Sequence, residues 1–198
     1  MPYNAKLLLF GEHIVLQGAQ ALAIPWAAYQ GTWQWSASLQ KEMLQQQLPQ
    51  LLAYLEQLEQ EERLLRPMKL KAFAENLKQG IYFDSNIPIG YGAGSSGALC
   101  AAIYDRYCID PSAKSDFKAL KQELGQIESF FHGSSSGTDP LICYLNQAIL
   151  IQADGAMKSL KLGFEKLAQP YQFFVIDTGI RRQTGPFVEA ILKKVQEE

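Results

Sequence analysis

The stretch Gly92-Ala93-Gly94-Ser95-Ser96-Gly97 runs directly into the apolar, alanine-rich segment Ala98 to Ala102. Small residues let a backbone approach an anion closely, and the amides at the positive end of a following helix bind it. A serine hydroxyl placed there can also ligate Mg²⁺. The spacing satisfies GxGxxG, but a dinucleotide fold also demands a βαβ unit and an acidic residue about 20 positions on, at the end of a second apolar strand. Asp110 stands before Pro111 at a helix junction, so that context fails. A Walker loop fails as well, because no lysine follows the glycines. Both histidines of the chain lie in comparable loops, His13 in "GEHIVLQG" and His132 in "ESFFHGSSSGTDP", each flanked by glycine and carrying acids. A lone histidine usually satisfies a local hydrogen bond; three such loops in one chain of 198 residues argue for a shared site.

The elements that must position these loops follow from periodicity. "KLLLF" and "ALAIP" read as two short strands around a glycine-marked turn, and "GTWQWSAS" as a further, half-buried strand. Leu48, Leu51, Leu52, Leu55 and Leu58 recur at helical spacing as a core stripe, with Pro49 expected in the first turn of that helix. "RPMKLKAFAENLKQG" adds a helix, "GIYFDSNIPIG" a strand, and the segment from the glycine-serine loop to about Cys108 another helix. Phe117, Leu120, Leu124, Ile127 and Phe131 mark an amphipathic helix with Glu128 near its end, broken by "HGSSSGTDP". An apolar stretch begins at Leu141, and "QAILIQADGAMKSLKL" predicts a hairpin turning at Asp154-Gly155. "YQFFVIDTG" reads as a buried strand and "GPFVEAILKKVQEE" as a helix. The fold class is therefore α+β.

A net charge of −2 gives no global field for nucleic acid or anionic membrane, so any phosphate binding must be local. No apolar run approaches the roughly 18 residues of a membrane span. Cys100, Cys108 and Cys143 lack metal-ligand spacing and lie in apolar surroundings, which predicts reduced, buried thiols and a cytoplasmic protein.

The segments "AKLLLFGEHIVLQGAQALAIP", "PIGYGAGSSGALCAA", "ESFFHGSSSGTDPLI" and "VIDTGIRRQTGPFVEAIL" resemble, in order and spacing, the signatures of mevalonate kinases in the GHMP kinase superfamily. The glycine-serine loop alone marks the superfamily, while "GEHIV" with "HG..SGTD" is more specific to this branch. The resemblance implies an ATP- and Mg²⁺-dependent kinase that phosphorylates a primary alcohol, with mevalonate the first acceptor and phosphomevalonate, homoserine or a sugar the alternatives. A degenerate kinase fold that binds nucleotide or metabolite without turnover is the reading from another class. Carried over by residue, Gly92, Ala93, Gly94, Ser95, Ser96 and Gly97 hold the ATP phosphates, and Ser96 and Glu128 ligate Mg²⁺. Asp139 is the catalytic aspartate that accepts the alcohol's proton, and Lys6 is its companion, whose charge stabilises the developing alkoxide and the transferring phosphate. His13, Glu12 and Thr184 contact the acceptor, with Arg181, Arg182 and Thr138 nearby. Taken singly, Lys6 reads as a solvated strand-edge charge, Glu128 as a helix-end acid and Asp139 as a turn initiator before Pro140; the joint match reverses each.

The same resemblance implies a domain like the ribosomal protein S5 domain 2 over residues 1–169, then the start of a ferredoxin-like GHMP C-terminal domain over 170–198. Asn4-Ala5 replaces the family's usual Pro-Gly before the lysine, and Gly97 stands where alanine is common, which predicts a slightly looser helix start. No third glycine-rich loop occurs. A strand and helix cannot bury both their faces alone, so residues 170–198 are expected to pack on the first domain, to pair with a second copy in a homodimer, or to belong to a truncated product.

Overall fold

The computed structural model of the chain describes residues 1–11, 18–36 and 43–161, with the side chains of 43–46 excepted. The expectations for residues 170–198 lie outside the described residues. Strands β1 (Tyr3–Phe10), β2 (Ala21–Trp35), β3 (Ile81–Ser85), β4 (Ala148–Ile151) and β5 (Met157–Leu160) form one sheet of order β1-β2-β4-β5, with β3 also paired to β2. Every described pairing is antiparallel, so no parallel βαβ unit surrounds the glycine-serine loop and the dinucleotide reading is closed. The helices are α1 (Met43–Gln60), α2 (Leu70–Lys78), α3 (Ser95–Tyr107), α4 (Phe117–His132) and α5 (Thr138–Leu145).

Sequence punctuation misplaced two features. "ALAIP" and "GTWQWSAS" are one continuous strand, because Pro25 falls between the end of β2 that pairs with β4 and the end that pairs with β3. A proline there removes no ladder bond to either strand. Pro49 lies inside α1 and not in its first turn. An interior proline costs about 3 kcal/mol, but Leu48, Leu51, Leu52, Leu55 and Leu58 are all buried, and each such leucine returns about 1.5–3 kcal/mol.

α3 decides the architecture. The run Gly97 to Tyr104 is buried throughout and has no polar face, so this helix can only lie between layers. α3 and α5 pack on β1 and β2, and α4 packs on α3 and α5. Trp33 ties sheet to helix by donating its indole N–H to the carbonyl of Ala102 at 3.2 Å. Along β2, Ala21 and Ala23 join this main core while Leu22 and Ile24 join a second small cluster with Ala148, as strand alternation requires. The expected hairpin is present: Gly155 turns at φ +80°, and the Ala156 amide donates to the Asp154 side chain. The three cysteines are free and buried.

A second polar network fixes α4 from its far end. Glu123 is buried and accepts from the hydroxyls of Tyr104 and Ser112 and from Arg66 Nε. Burial alone would raise this carboxyl's pKa, but the three hydrogen bonds outweigh it and hold the group below its ordinary value.

Candidate active site

β1 delivers Lys6 into the core, where only 4% of it remains exposed. Its backbone amide donates to the Ala93 carbonyl at 3.0 Å, so the strand extends its pairing onto the glycine-serine loop. The aliphatic stem of the lysine crosses that loop: a Cβ built on Gly94 would stand 2.8 Å from Lys6 Cγ. Gly94 caps α3 at φ +80° with no side-chain hydrogen bond to the helix amides. The result is a cradle without side chains at a helix N-terminus, with a buried cation beneath it.

The Lys6 ammonium reaches Asp139 Oδ2 at 2.9 Å. Asp139 lies in the first turn of α5, which the sequence left as an unassigned apolar stretch. Two glycines let α5 come this close. A Cβ on Gly97 would lie 3.0 Å from the Asp139 carbonyl carbon and the Pro140 nitrogen, so the small residue serves close contact between α3 and the start of α5. Gly137, at φ +71°, would place a Cβ 1.9 Å from the Lys121 carbonyl oxygen on α4. The start of α5 is therefore wedged backbone to backbone between α3 and α4.

α4 turns Glu128 into the same space. The carboxylate is buried and accepts from Ser96 Oγ at 3.4 Å through one oxygen and from Ser135 Oγ through the other. Burial pushes its pKa up to about 7, with Asp139 adding to the rise and Ser135, Ser96 and Lys6 opposing it. Two carboxylates thus share the single ammonium that acts on them among the described residues. With Glu128 ionised the cluster is short of one positive charge, and its donors are hard oxygens from Ser96 and Glu128. That set fits a divalent cation such as Mg²⁺, which takes one or two protein oxygens and keeps its remaining positions for water and phosphate. Burial also drives the thiols of Cys100 and Cys143 well up, so neither is a nucleophile here.

The structure therefore brings together Lys6, the 92–97 loop, Glu128 and Asp139, and places Thr138 beside them with its hydroxyl accepting from Ser136 Oγ. Glu12, His13, Arg181, Arg182 and Thr184 lie outside the described residues. Sequence reasoning missed Ser135, whose signal was its place in "HGSSSGTDP" next to an acid on the preceding helix. It also left His132 without a role, although the ring's Nε2 stands 3.2 Å from Ser96 Oγ.

Residues 62–147 match the family model described as the GHMP kinases N terminal domain. A mevalonate kinase of Archaeoglobus fulgidus is 32% identical over 101 residues, which are 51% of this chain and 32% of that protein. One from Dictyostelium discoideum is 24% identical over 135 residues, 58% of this chain and 33% of that protein. The chain thus aligns with about a third of the length of these relatives. The crystal structure of L. major mevalonate kinase in complex with R-mevalonate superposes with a TM-score of 0.59 at 17% identity, covering 100% of this chain and 61% of that one. The Methanococcus jannaschii enzyme gives 0.53 at 18%, covering 84% and 56%. At these identities the superpositions show the shared fold.

Proposed function

Taking as the premise the match of residues 62–147 to the model of the GHMP kinases N terminal domain, we propose that the protein is an ATP- and Mg²⁺-dependent kinase of mevalonate kinase type, transferring the γ-phosphate to a primary alcohol. The observation that carries this reading is the Lys6–Asp139 pair at 2.9 Å, buried on the lysine side and set directly under the glycine-serine loop. Phosphoryl transfer needs positioned groups and charge neutralisation more than covalent chemistry, and this pair supplies both beside the cradle.

In the proposed reaction, Asp139 accepts the proton of the acceptor hydroxyl as that oxygen bonds to the γ-phosphorus. The bond from γ-phosphorus to the bridging oxygen breaks, and ADP leaves with the electron pair. Lys6 orients the aspartate and offers positive charge to the oxygens that gain negative charge. The amides of the 92–97 loop and the α3 N-terminus hold the phosphates. Ser96 and Glu128 would hold Mg²⁺, which when bound supplies charge neutralisation to the phosphates. On the acceptor side, His13, Glu12 and Thr184 are assigned by resemblance to mevalonate kinases. The same resemblance supports an S5 domain 2-like domain over 1–169 followed by the beginning of a ferredoxin-like domain, and mevalonate as acceptor. Among the described residues no helix is long and apolar enough to cross a membrane.

The test is a coupled ADP-release assay across mevalonate, phosphomevalonate, homoserine and galactose, run on the chain and on Asp139→Asn. Turnover with mevalonate should fall by about 10²–10⁴ in the variant, while ATP affinity stays within about threefold. Mevalonate turnover that survives the substitution overturns the assignment of Asp139. ATP binding without turnover on any acceptor replaces the enzyme with a non-catalytic nucleotide-binding protein.

A further inference from the structure

His132 ends α4, and Gly133 follows at φ +72°, which stops the helix and leaves the ring beside the entrance of α3. Its Nε2 lies 3.2 Å from Ser96 Oγ, and that hydroxyl also faces Glu128 Oε1 at 3.4 Å. Ser96 Oγ donates its one hydrogen to Glu128, so the hydroxyl oxygen is left to accept. Ser135 donates to the other carboxylate oxygen. The polar chain then closes in one direction, from the imidazole N–H to Ser96 and from Ser96 to Glu128.

That direction leaves an N–H donor on an exposed side chain, aimed at the mouth of the phosphate cradle. Among the described residues, few other cationic or strong side-chain donors compete for the position. Residues 87–97 and 133–139 contain no lysine or arginine, and Lys6 is committed to Asp139. A triphosphate is a polyanion, and loop amides with one helix terminus counter only part of its charge. From this geometry, and resting on the kinase reading above, we propose that His132 is a phosphate-binding residue: its Nε2–H leaves Ser96 for a phosphate oxygen when nucleotide binds. The exchange costs little, because Ser96 keeps its bond to Glu128 and regains a lone pair for other partners.

The experiment is calorimetric titration of the chain, His132→Ala and His132→Gln with ATP, inorganic tripolyphosphate and adenosine at a fixed excess of Mg²⁺. Glutamine keeps an N–H donor at nearly the same reach. Loss of one hydrogen bond to a charged group should weaken ATP and tripolyphosphate alike by about tenfold in His132→Ala. Adenosine affinity should not change, and His132→Gln should recover most of the loss. Equal affinities in the chain and His132→Ala overturn the proposal while leaving the kinase reading intact. A loss that extends to adenosine, or that glutamine does not repair, also overturns it, since it reports a structural role. If the unsubstituted chain binds neither ATP nor tripolyphosphate, the kinase reading falls and takes this one with it.

Discussion

Gly133 and Gly137, both at positive φ, separate what close packing contributes to the site from backbone strain alone. Gly137 lies in the left-handed basin at φ +71° and ψ 5°, where alanine meets a strain of about 1–2 kcal/mol. Gly133, at φ +72° and ψ −36°, lies outside that basin, where alanine meets about 1–3 kcal/mol. A Cβ on Gly133 meets nothing within 4 Å, so Gly133→Ala should cost about that much and no more. A Cβ on Gly137 would stand 1.9 Å from the Lys121 carbonyl oxygen, 2.9 Å from its carbon and 3.1 Å from Gly125 Cα, all backbone atoms that no rotamer change can move aside. α4 and α5 must separate by about 1 Å before contact becomes tolerable, and overpacking of that kind adds about 1–3 kcal/mol. In a chain of this length each kcal/mol lowers Tm by about 2–4 °C. Thermal unfolding should therefore place Gly133→Ala about 2–12 °C below the parent through strain alone, and Gly137→Ala about 4–20 °C below it through strain and overpacking together. The same shift would part Asp139 from Glu128, and misplacement by 1 Å can cost about 10²-fold in rate. The soluble Gly137→Ala protein should lose that activity, whereas Gly133→Ala should keep most of it. A Gly137→Ala protein that melts with the parent, or equal activities in the two variants, would refute the wedge.

Further outcomes follow from the buried carboxyls. Glu128 is lifted from an ordinary 4.5 to about 7, so between those values the folded protein binds more protons than the unfolded one. Its contribution is full below about pH 4.5 and is lost as pH rises through about 7, so the cation-free chain should lose about 3 kcal/mol relative to Glu128→Gln across that window. Urea unfolding in EDTA at about pH 5 and about pH 8 measures this, and a constant difference between the two proteins contradicts it. Glu123→Ala leaves the Tyr104 and Ser112 hydroxyls without their acceptor and should cost about 2–4 kcal/mol. Adding Tyr104→Phe should then cost less than it does alone; strict additivity would show that the network is not coupled.

Residues whose role is expressed locally were legible from the sequence. The amphipathic stripe of α4 is there in the leucines, and Leu120, Leu124 and Ile127 are indeed buried. The Asp154-Gly155 hairpin was equally plain, because its turn chemistry is contained in two residues. What the residues alone could not give was burial at a distance. Lys6 and Asp139 are separated by most of the chain, and nothing local distinguishes a lysine at 4% exposure from one in solvent; a resemblance across four segments was needed to pair them. Pro25 and Pro49 misled for the converse reason. Their local penalty is real, but a break in strand pairing accommodates one and a buried leucine stripe outweighs the other. Ser135 and Glu123 went unassigned because a hydrogen bond made by a buried carboxylate leaves no periodic trace.

The bond from the Lys6 amide to the Ala93 carbonyl has a mechanical consequence. It makes the phosphate cradle a continuation of β1, so the loop and the lysine share one rigid frame. Any displacement of the cradle carries the ammonium with it, and through the ion pair the aspartate follows. In the proposed reaction, donor and acceptor halves would thereby be kept in register by the sheet itself, and a ligand that tightens the loop would also true the alignment of Asp139.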